Sequence, residues 1–357
     1  MTPLRARILP FLRVLATPAA AMAVSLVIGA LIMTISGVAP AAGYRSLLNG
    51  AFGSPEAFGR TLQNATPLIL TGVAVSFAFR GGLFNIGGDG QFAAGATAAA
   101  WAGVALDLPA VVGPVTVLAL GALAGALVGA LAGVLKARFG AHEVVTTIML
   151  NFIVADLSTW LLLHPLSAHS TVPGSAFVRP SNRLPLLGGG LGGAHWGLAA
   201  ALAAALVASV VLWRTPYGLE MRVSGLAPQA ARYAGVSPTA AAAAALGGGG
   251  AFAGLAGAGE VLGTYGHMTV PFVTNLGYLG IGVALLGRNH PFGCVAGGLI
   301  LGALSAGGQQ MQFDVGISAH LTDVLVGIVL LFVTVRTLRR RSGRRRTSAA
   351  VPMKEGR

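Results

Sequence analysis

The stretch RGGLFNIGGDGQ, Arg80 to Gln91, gathers polar groups inside a largely apolar chain. Asn85, Asp89 and Gln91 stand there among Gly81, Gly82, Gly87, Gly88 and Gly90. One carboxylate and two amides are suited to lining a route for a polar solute. A backbone so rich in glycine cannot face hydrocarbon, because its N–H and C=O groups would go unsatisfied. The segment is therefore expected to be broken or re-entrant and buried between helices, with a helix running on from about Phe92. A helix N-terminus attracts electron-rich groups, and Asp89 stands where an N-capping carboxylate would. Two readings stay open: a pathway lining, or a satisfied cap and hairpin that holds two helices together.

A second group lies in HEVVTTIMLNFIV, His142 to Val154. Thr147 and Asn151 are four apart and share a helix face, so they can bond to a neighbouring helix or to a solute. Asp156, Glu260 and Asp323 are acids at membrane depth, with Glu143 near a span start. Each is a potential proton-relay carboxylate, although pairing near a span end is the simpler role. His164 and His169 have no Cys or second carboxylate at metal-site spacing, so no metal is expected. The lysines, Lys136 and Lys354, do not end a G-x-x-x-x-G-K-[ST] loop, so ATP hydrolysis, with its Mg, would belong to another chain. No G-x-S-x-G or H-E-x-x-H motif is present, which argues against an intramembrane hydrolase. No cofactor is expected on this chain.

The elements that must hold these groups follow from composition. Of 357 residues, 55% are hydrophobic and 9% charged, against about 25% charged in soluble domains. Such a chain can face hydrocarbon but cannot cover a water-facing surface. Spans need about 20 apolar residues. Ten runs qualify: 18–39, 61–79, 83–106, 110–135, 143–163, 194–213, 237–262, 271–287, 291–310 and 318–335. The third and eighth are irregular. The expectation is an all-α integral membrane protein of about ten transmembrane helices. Five spans per half would permit a five-plus-five inverted repeat. The first run is too long for a signal-peptide core and reads as a retained span. The single Cys294 lies in an apolar run and reads as a small hydrophobe.

The net charge of +13 reads as topology rather than as a nucleic-acid surface. With the N-terminus inside and ten crossings, the inner side holds 19 of the 23 Lys and Arg residues. Only Arg45, Arg60, Arg179 and Arg183 fall outside. This asymmetry is the positive-inside pattern and puts both termini in the cytoplasm. The domain plan is then a cytoplasmic segment 1–17, a transmembrane domain 18–335 and a basic, disordered cytoplasmic tail 336–357. The outer loop 164–193 is a connector or a docking surface. Gly121, Gly125, Gly129 and Gly133 form a smooth helix stripe for close packing, as do Gly250 and Gly254.

Between the sixth and seventh runs lies RTPYGLEMRVSGLAPQAARYAGVSP, 214–238, on the cytoplasmic side of this plan. Pro228 suits the first turn of a short helix ending at Gly235, a handle for a motor protein. Together with TPLILTGVAVSFAFRGGLFNIGGDGQ, HEVVTTIMLNFIV and GYLGIGVALLGRNHPFG, this segment resembles the permease subunits of bacterial ABC importers of the branched-chain amino acid, ribose and nucleoside type. Nucleoside (guanosine-type) and simple-sugar permeases are the most similar within that group. The resemblance covers about residues 60–310. It implies the bacterial plasma (inner) membrane, a second permease subunit (identical or paralogous), a cytoplasmic ABC ATPase and an extracytoplasmic substrate-binding lipoprotein. It makes Asn85, Asp89, Gln91, Thr147 and Asn151 pathway candidates, and Arg222, Gly225, Arg232, Tyr233 and Gly235 ATPase-coupling candidates. Arg288, Asn289 and His290 become candidates for the inner end. Two positions depart from the family pattern: Glu is common where Asp89 stands, and Asn is usual near Ala227. A proton-coupled secondary transporter is the alternative.

Overall fold

A computed structural model of the chain describes residues 24, 26–270, 272, 275–316, 324 and 327–328. Segment 1–17, tail 336–357, Asp323 and most of the expected span 318–335 lie outside the described residues.

The described residues form helices α1 (Leu26–Ile35), α2 (Pro40–Phe52), α3 (Pro55–Arg80), α4 (Gly88–Ala105), α5 (Val112–Phe139), α6 (Glu143–Leu163), α7 (Gly197–Arg214), α8 (Pro216–Leu226), α9 (Pro228–Tyr233), α10 (Pro238–Glu260), α11 (Leu276–Leu286) and α12 (Pro291–Val315). A π-helical turn, Val261–Tyr265, extends α10. Among the described residues there are only isolated β-bridges and no strands. Six helices, α3, α5, α6, α7, α10 with its π turn, and α12, are long and apolar enough to cross a membrane. A seventh crossing results if the bent pair α1 and α2 counts as one. The chain is a multi-pass membrane protein.

The differences from the sequence expectation have local causes. The first span was expected to run from 18 to 39, but α1 stops at Ile35. Gly37 takes a left-handed φ of 77° and Pro40 opens α2, at 119° to α1. Proline at a helix start is pre-organised for a new helix, not for continuing the old one. The third expected span, 83–106, loses its first turn. α4 begins only at Gly88, because residues 82–86 form a turn and an extended stretch. α11 is an 11-residue apolar helix, shorter than a span.

The chain divides into two compact units. The first comprises Met1–Leu47 and Gly308–Arg357. Its described part packs Met33 against Met311, and Ser46 Oγ donates to Asp314 Oδ2 at 2.5 Å. The second, Leu48–Gly307, contains the candidate site. Within it α3 is the enclosed helix: 78% of its most apolar window is buried, against 22% for α6. α10 packs against α3, α4 and α5.

The α5–α10 contact is made by the glycine stripe. A Cβ on Gly125 would lie 2.3 Å from the Gly250 carbonyl oxygen, and one on Gly129 2.2 Å from that of Leu246. The two glycine-bearing faces are thus each other's partners. In hydrocarbon no hydrophobic force joins helices, so dispersion between closely approaching backbones has to do it.

At the end of the unit opposite Arg80, residues 164–196 build a folded cap. Asn182 Nδ2 donates to the carbonyls of Gly103 (3.0 Å) and Leu106 (2.8 Å), closing the C-terminal end of α4. Ser175 Oγ accepts from the Met268 N–H at 3.0 Å. His195 is 1% exposed, wedged beside Gly197 and Gly263. Its Nδ1 accepts from the Gly197 N–H at 3.1 Å. Burial lowers its pKa from the usual 6.5 to about 4, so the imidazole is neutral at pH 7. Below about pH 6.5 the unfolded chain takes up a proton that the fold refuses until about pH 4. Stability is therefore lost as pH falls through that window, by about 3 kcal/mol at most. The melting temperature of the purified protein should fall across that range. The fall should flatten in His195→Gln, and an equal slope in both proteins would contradict this account of the cap.

Candidate functional site

The site forms where α3 ends and α4 begins. The intervening backbone is held by side chains from both flanks. Asn85 and Gln91 are both buried and exchange amide hydrogen bonds: Asn85 Nδ2 donates to Gln91 Oε1 at 2.9 Å, and Gln91 Nε2 donates to Asn85 Oδ1 at 3.2 Å. The Gly87 N–H also reaches Asn85 Oδ1, at 2.9 Å. From α6, Thr147 Oγ1 accepts from the Ile86 N–H at 3.3 Å. Asn151 clamps the stretch twice, accepting from the Gly90 N–H at 2.8 Å and donating to the Ile86 carbonyl at 3.0 Å. Its amide donates further to the Tyr278 hydroxyl at 3.1 Å. A broken segment at membrane depth thus finds protein partners for its backbone, as hydrocarbon surroundings demand.

Asp89 behaves differently from the expected N-cap of its own helix. It stands in the first turn of α4, with Gly87 in the capping position. Its Oδ1 accepts from the Gly277 N–H at 2.9 Å, in the first turn of α11. It caps α11 because the two helix starts touch: a Cβ on Gly277 would lie 2.2 Å from the Asp89 nitrogen. Asp89 Oδ2 is buried without a hydrogen-bond partner. Of the five pathway candidates, Asn85, Gln91, Thr147 and Asn151 have their polar groups bonded within the fold, and Asp89 keeps a free acceptor. Tyr278, 39% exposed beside this carboxylate's anchor, was not apparent in the sequence. An aromatic residue in an apolar run gives no sign of a contact with Asn151, 127 positions away.

Arg288, Asn289 and His290 are brought together with groups that the sequence did not single out. Arg288 and Asn289 take left-handed φ values of 55° and 53° in the turn from α11 to α12. Arg80 Nε donates to the Asn289 carbonyl at 2.7 Å, and its guanidinium lies 5.3 Å from the Trp213 ring centroid. Trp213 in turn stacks on His290 at 4.8 Å. The ends of α3 and α7 and the α11–α12 turn are tied at one place by a cation–π contact and a charge-assisted hydrogen bond.

The coupling candidates divide. Arg232, Tyr233 and Gly235 lie exposed on α9 and its end, with Tyr233 94% accessible. Arg222 and Gly225 sit half-buried on α8, where Arg222 Nε donates to the Gly218 carbonyl at 3.3 Å. The acids proposed for a relay are also separated in character: Glu260 is buried and accepts from Thr264 Oγ1 at 3.3 Å, whereas Asp156 is exposed on α6.

Comparison with known proteins gives this geometry its context. Residues 58–334 match the model of a family described as "Branched-chain amino acid transport system / permease component". The chain belongs to this permease family. It is 40% identical over 322 residues to the guanosine ABC transporter permease protein NupP of Bacillus subtilis, covering 89% of this chain and 92% of that protein. It is 31% identical to the glucose ABC transporter permease protein TsgB13 of Haloferax volcanii, covering 89% and 86%. It is also 31% identical to the nucleoside ABC transporter permease protein NupB of Lactococcus lactis, covering 89% and 90%. No solved structure matches. As a member of this permease family the chain is a transport subunit, not an enzyme. The broken segment, the Asp89–Gly277 cap and the Arg80 cluster all lie within the matched region.

Proposed function

We propose that this permease carries nucleosides across a bacterial plasma membrane, with simple sugars as the next substrate class. The ATPase would dock on α8 and α9, and a lipoprotein would deliver the solute at the 164–193 side. The observation that carries the reading is the exposed face of α8 and α9. These helices have 11 and 6 residues, carry Arg222 and Arg232, and are too short to span. Yet Leu226 is 87% exposed and Tyr233 94%. An apolar and aromatic surface on a short basic segment fits a protein partner better than lipid or water. The positive-inside partition puts this segment and both termini in the cytoplasm, where an ATPase is available. The same reading supplies the domain plan: a ten-span domain 18–335 flanked by cytoplasmic ends.

An inverted repeat is supported by the starts of α4 and α11. Asn85-Ile86-Gly87 with Gly90 precedes and enters α4, and Asn275-Leu276-Gly277 with Gly280 opens α11, with the same spacing. Interrupted helices at matching places in two halves, with N-termini facing each other, are a recurrent way to build a solute site at the midplane. Asp89 between them offers a free acceptor to the hydroxyl and N–H donors of a nucleoside. Thr147 and Asn151 keep the lining in place, and Arg288, Asn289 and His290 form the inner end.

The proton-coupled alternative would run protons through Asp156, Glu260 or Asp323; Asp156 is exposed on α6, Glu260 is buried and Asp323 lies outside the described residues. Uptake of radiolabelled guanosine in cells with and without this chain separates the two. ATP-driven uptake should depend on the chain and survive a protonophore while ATP is maintained. Uptake that collapses with the proton gradient would overturn the importer reading.

A further inference from the structure

We propose that a backbone-to-backbone contact between Gly82 and Gly225 carries movement of the 214–238 segment to the broken stretch that holds Asp89. The inference rests on the reading of that segment as the ATPase-facing lever.

The contact leaves no slack. A Cβ on Gly82 would lie 2.5 Å from the Gly225 Cα, and one on Gly225 would lie 2.6 Å from the Gly82 nitrogen. Gly82 takes a left-handed φ of 73°, which favours glycine there on conformational grounds as well. With no side chain between the two backbones, no rotamer change can absorb a displacement, and close-packed groups transmit strain.

Both flanks of the contact suit this role. On the lever side, α8 is locked to the end of α7, since a Cβ on Gly218 would lie 2.0 Å from the Val211 carbonyl oxygen. Met221, on the same helix, is 3% exposed, and its Cγ would lie 3.1 Å from a Cβ on Gly81. α8 therefore moves with the end of α7 as one body. On the site side, Gly82 is followed by two residues, Leu83 and Phe84, and then Asn85, whose amide pair with Gln91 leads directly into the first turn of α4. Residues 83–87 are the irregular link, and the Asn85, Thr147 and Asn151 clamps convert its shift into a shift of Asp89 relative to Gly277. Ser224 Oγ, beside Gly225, is buried with no hydrogen-bond partner. This position of α8 therefore leaves a polar group unsatisfied, which costs free energy in the state seen here.

The test uses the assembled transporter. In Gly225→Ala, solute moved per ATP hydrolysed should fall by about tenfold or more, whatever happens to the hydrolysis rate. Leu123→Ala, exposed on α5 and away from the docking helices, should leave the ratio unchanged. A merely structural weakening would lower transport and hydrolysis together, and an unchanged ratio would overturn the proposal. If Gly225→Ala does not assemble, hydrogen exchange on the unsubstituted complex decides. Trapping the ATP-bound state should change exchange in 216–226 and in 81–90 together. A change in 216–226 alone overturns this inference and leaves the lever standing. No change in 216–226 overturns the lever reading and this inference with it.

Discussion

Replacing Asp89 by asparagine lowers solute uptake by about 10- to 100-fold while the protein still folds and assembles. Asparagine keeps a side-chain oxygen that can accept the Gly277 N–H, so the link between α4 and α11 survives. What it loses is the charge on the oxygen that has no partner in the fold. A hydrogen bond to a charged group is worth about 1.5–3 kcal/mol, and about 1.4 kcal/mol is tenfold in affinity or rate. Asp89→Glu keeps the charge with one more methylene and should retain uptake within about threefold, below the roughly 1.4 kcal/mol that tenfold represents. Thermal unfolding separates this from a packing defect. If Asp89→Asn melts like the unsubstituted chain and transports within about twofold of it, a difference of under about 0.5 kcal/mol, Asp89 serves only as a cap.

Replacing Gly125 by valine prevents a stable fold. A Cβ alone would lie 2.3 Å from the Gly250 oxygen and 2.7 Å from the Gly254 Cα, and both are backbone atoms. No side chain can turn away to make room, so α5 must separate from α10. Gly121 and Gly129, one turn on either side, lose their partners in the same movement, because their Cβ positions lie within 3.4 Å of α10 atoms. Overpacking in a rigid interior costs about 1–3 kcal/mol and occasionally more, and this contact belongs at or above the top of that range. The yield of monodisperse protein in detergent should collapse, and any remaining protein should melt well below the unsubstituted chain. Leu123→Ala, on an exposed position of the same helix, is the control and should change stability by less than about 1 kcal/mol, because lipid refills the space. A well-folded Gly125→Val would mean that the α5–α10 contact is looser than the structure shows.

These two sites also show what could be read from the residues. The glycine stripe on α5 was legible because a four-residue period places its members on one helical face. That its partner was the Gly250–Gly254 face was not, because periodicity says which residues share a side and nothing about what the side meets. The apolar runs revealed α3, α5, α6, α7, α10 and α12, since length and hydropathy are what hydrocarbon selects. α2 escaped notice because PAAGYRSLLNGAF mixes Tyr, Arg, Ser and Asn with its apolar residues. α8 was hidden for the same reason: within 214–238, read as the motor-facing segment, only the short helix after Pro228 was expected. The break at 81–87 was visible from its glycines, and Asp89 was recognised as a helix-start carboxylate. That it caps α11, 188 residues away, depends on two helix starts meeting in space. Trp213 drew no attention because an aromatic residue at a span end is ordinary. Its role becomes visible only with Arg80 above its ring and His290 stacked against it.

The account turns on α8 and α9 facing the side where a cytosolic motor can reach them. The direct measurement is labelling of Tyr233→Cys with a membrane-impermeant maleimide in right-side-out and inside-out vesicles. The unsubstituted chain, whose only cysteine, Cys294, is fully buried, provides the blank. Labelling confined to inside-out vesicles is the predicted result, and purified ATPase should block it. Labelling in right-side-out vesicles would contradict the account, because no ATPase in the cytosol could then pull on this segment.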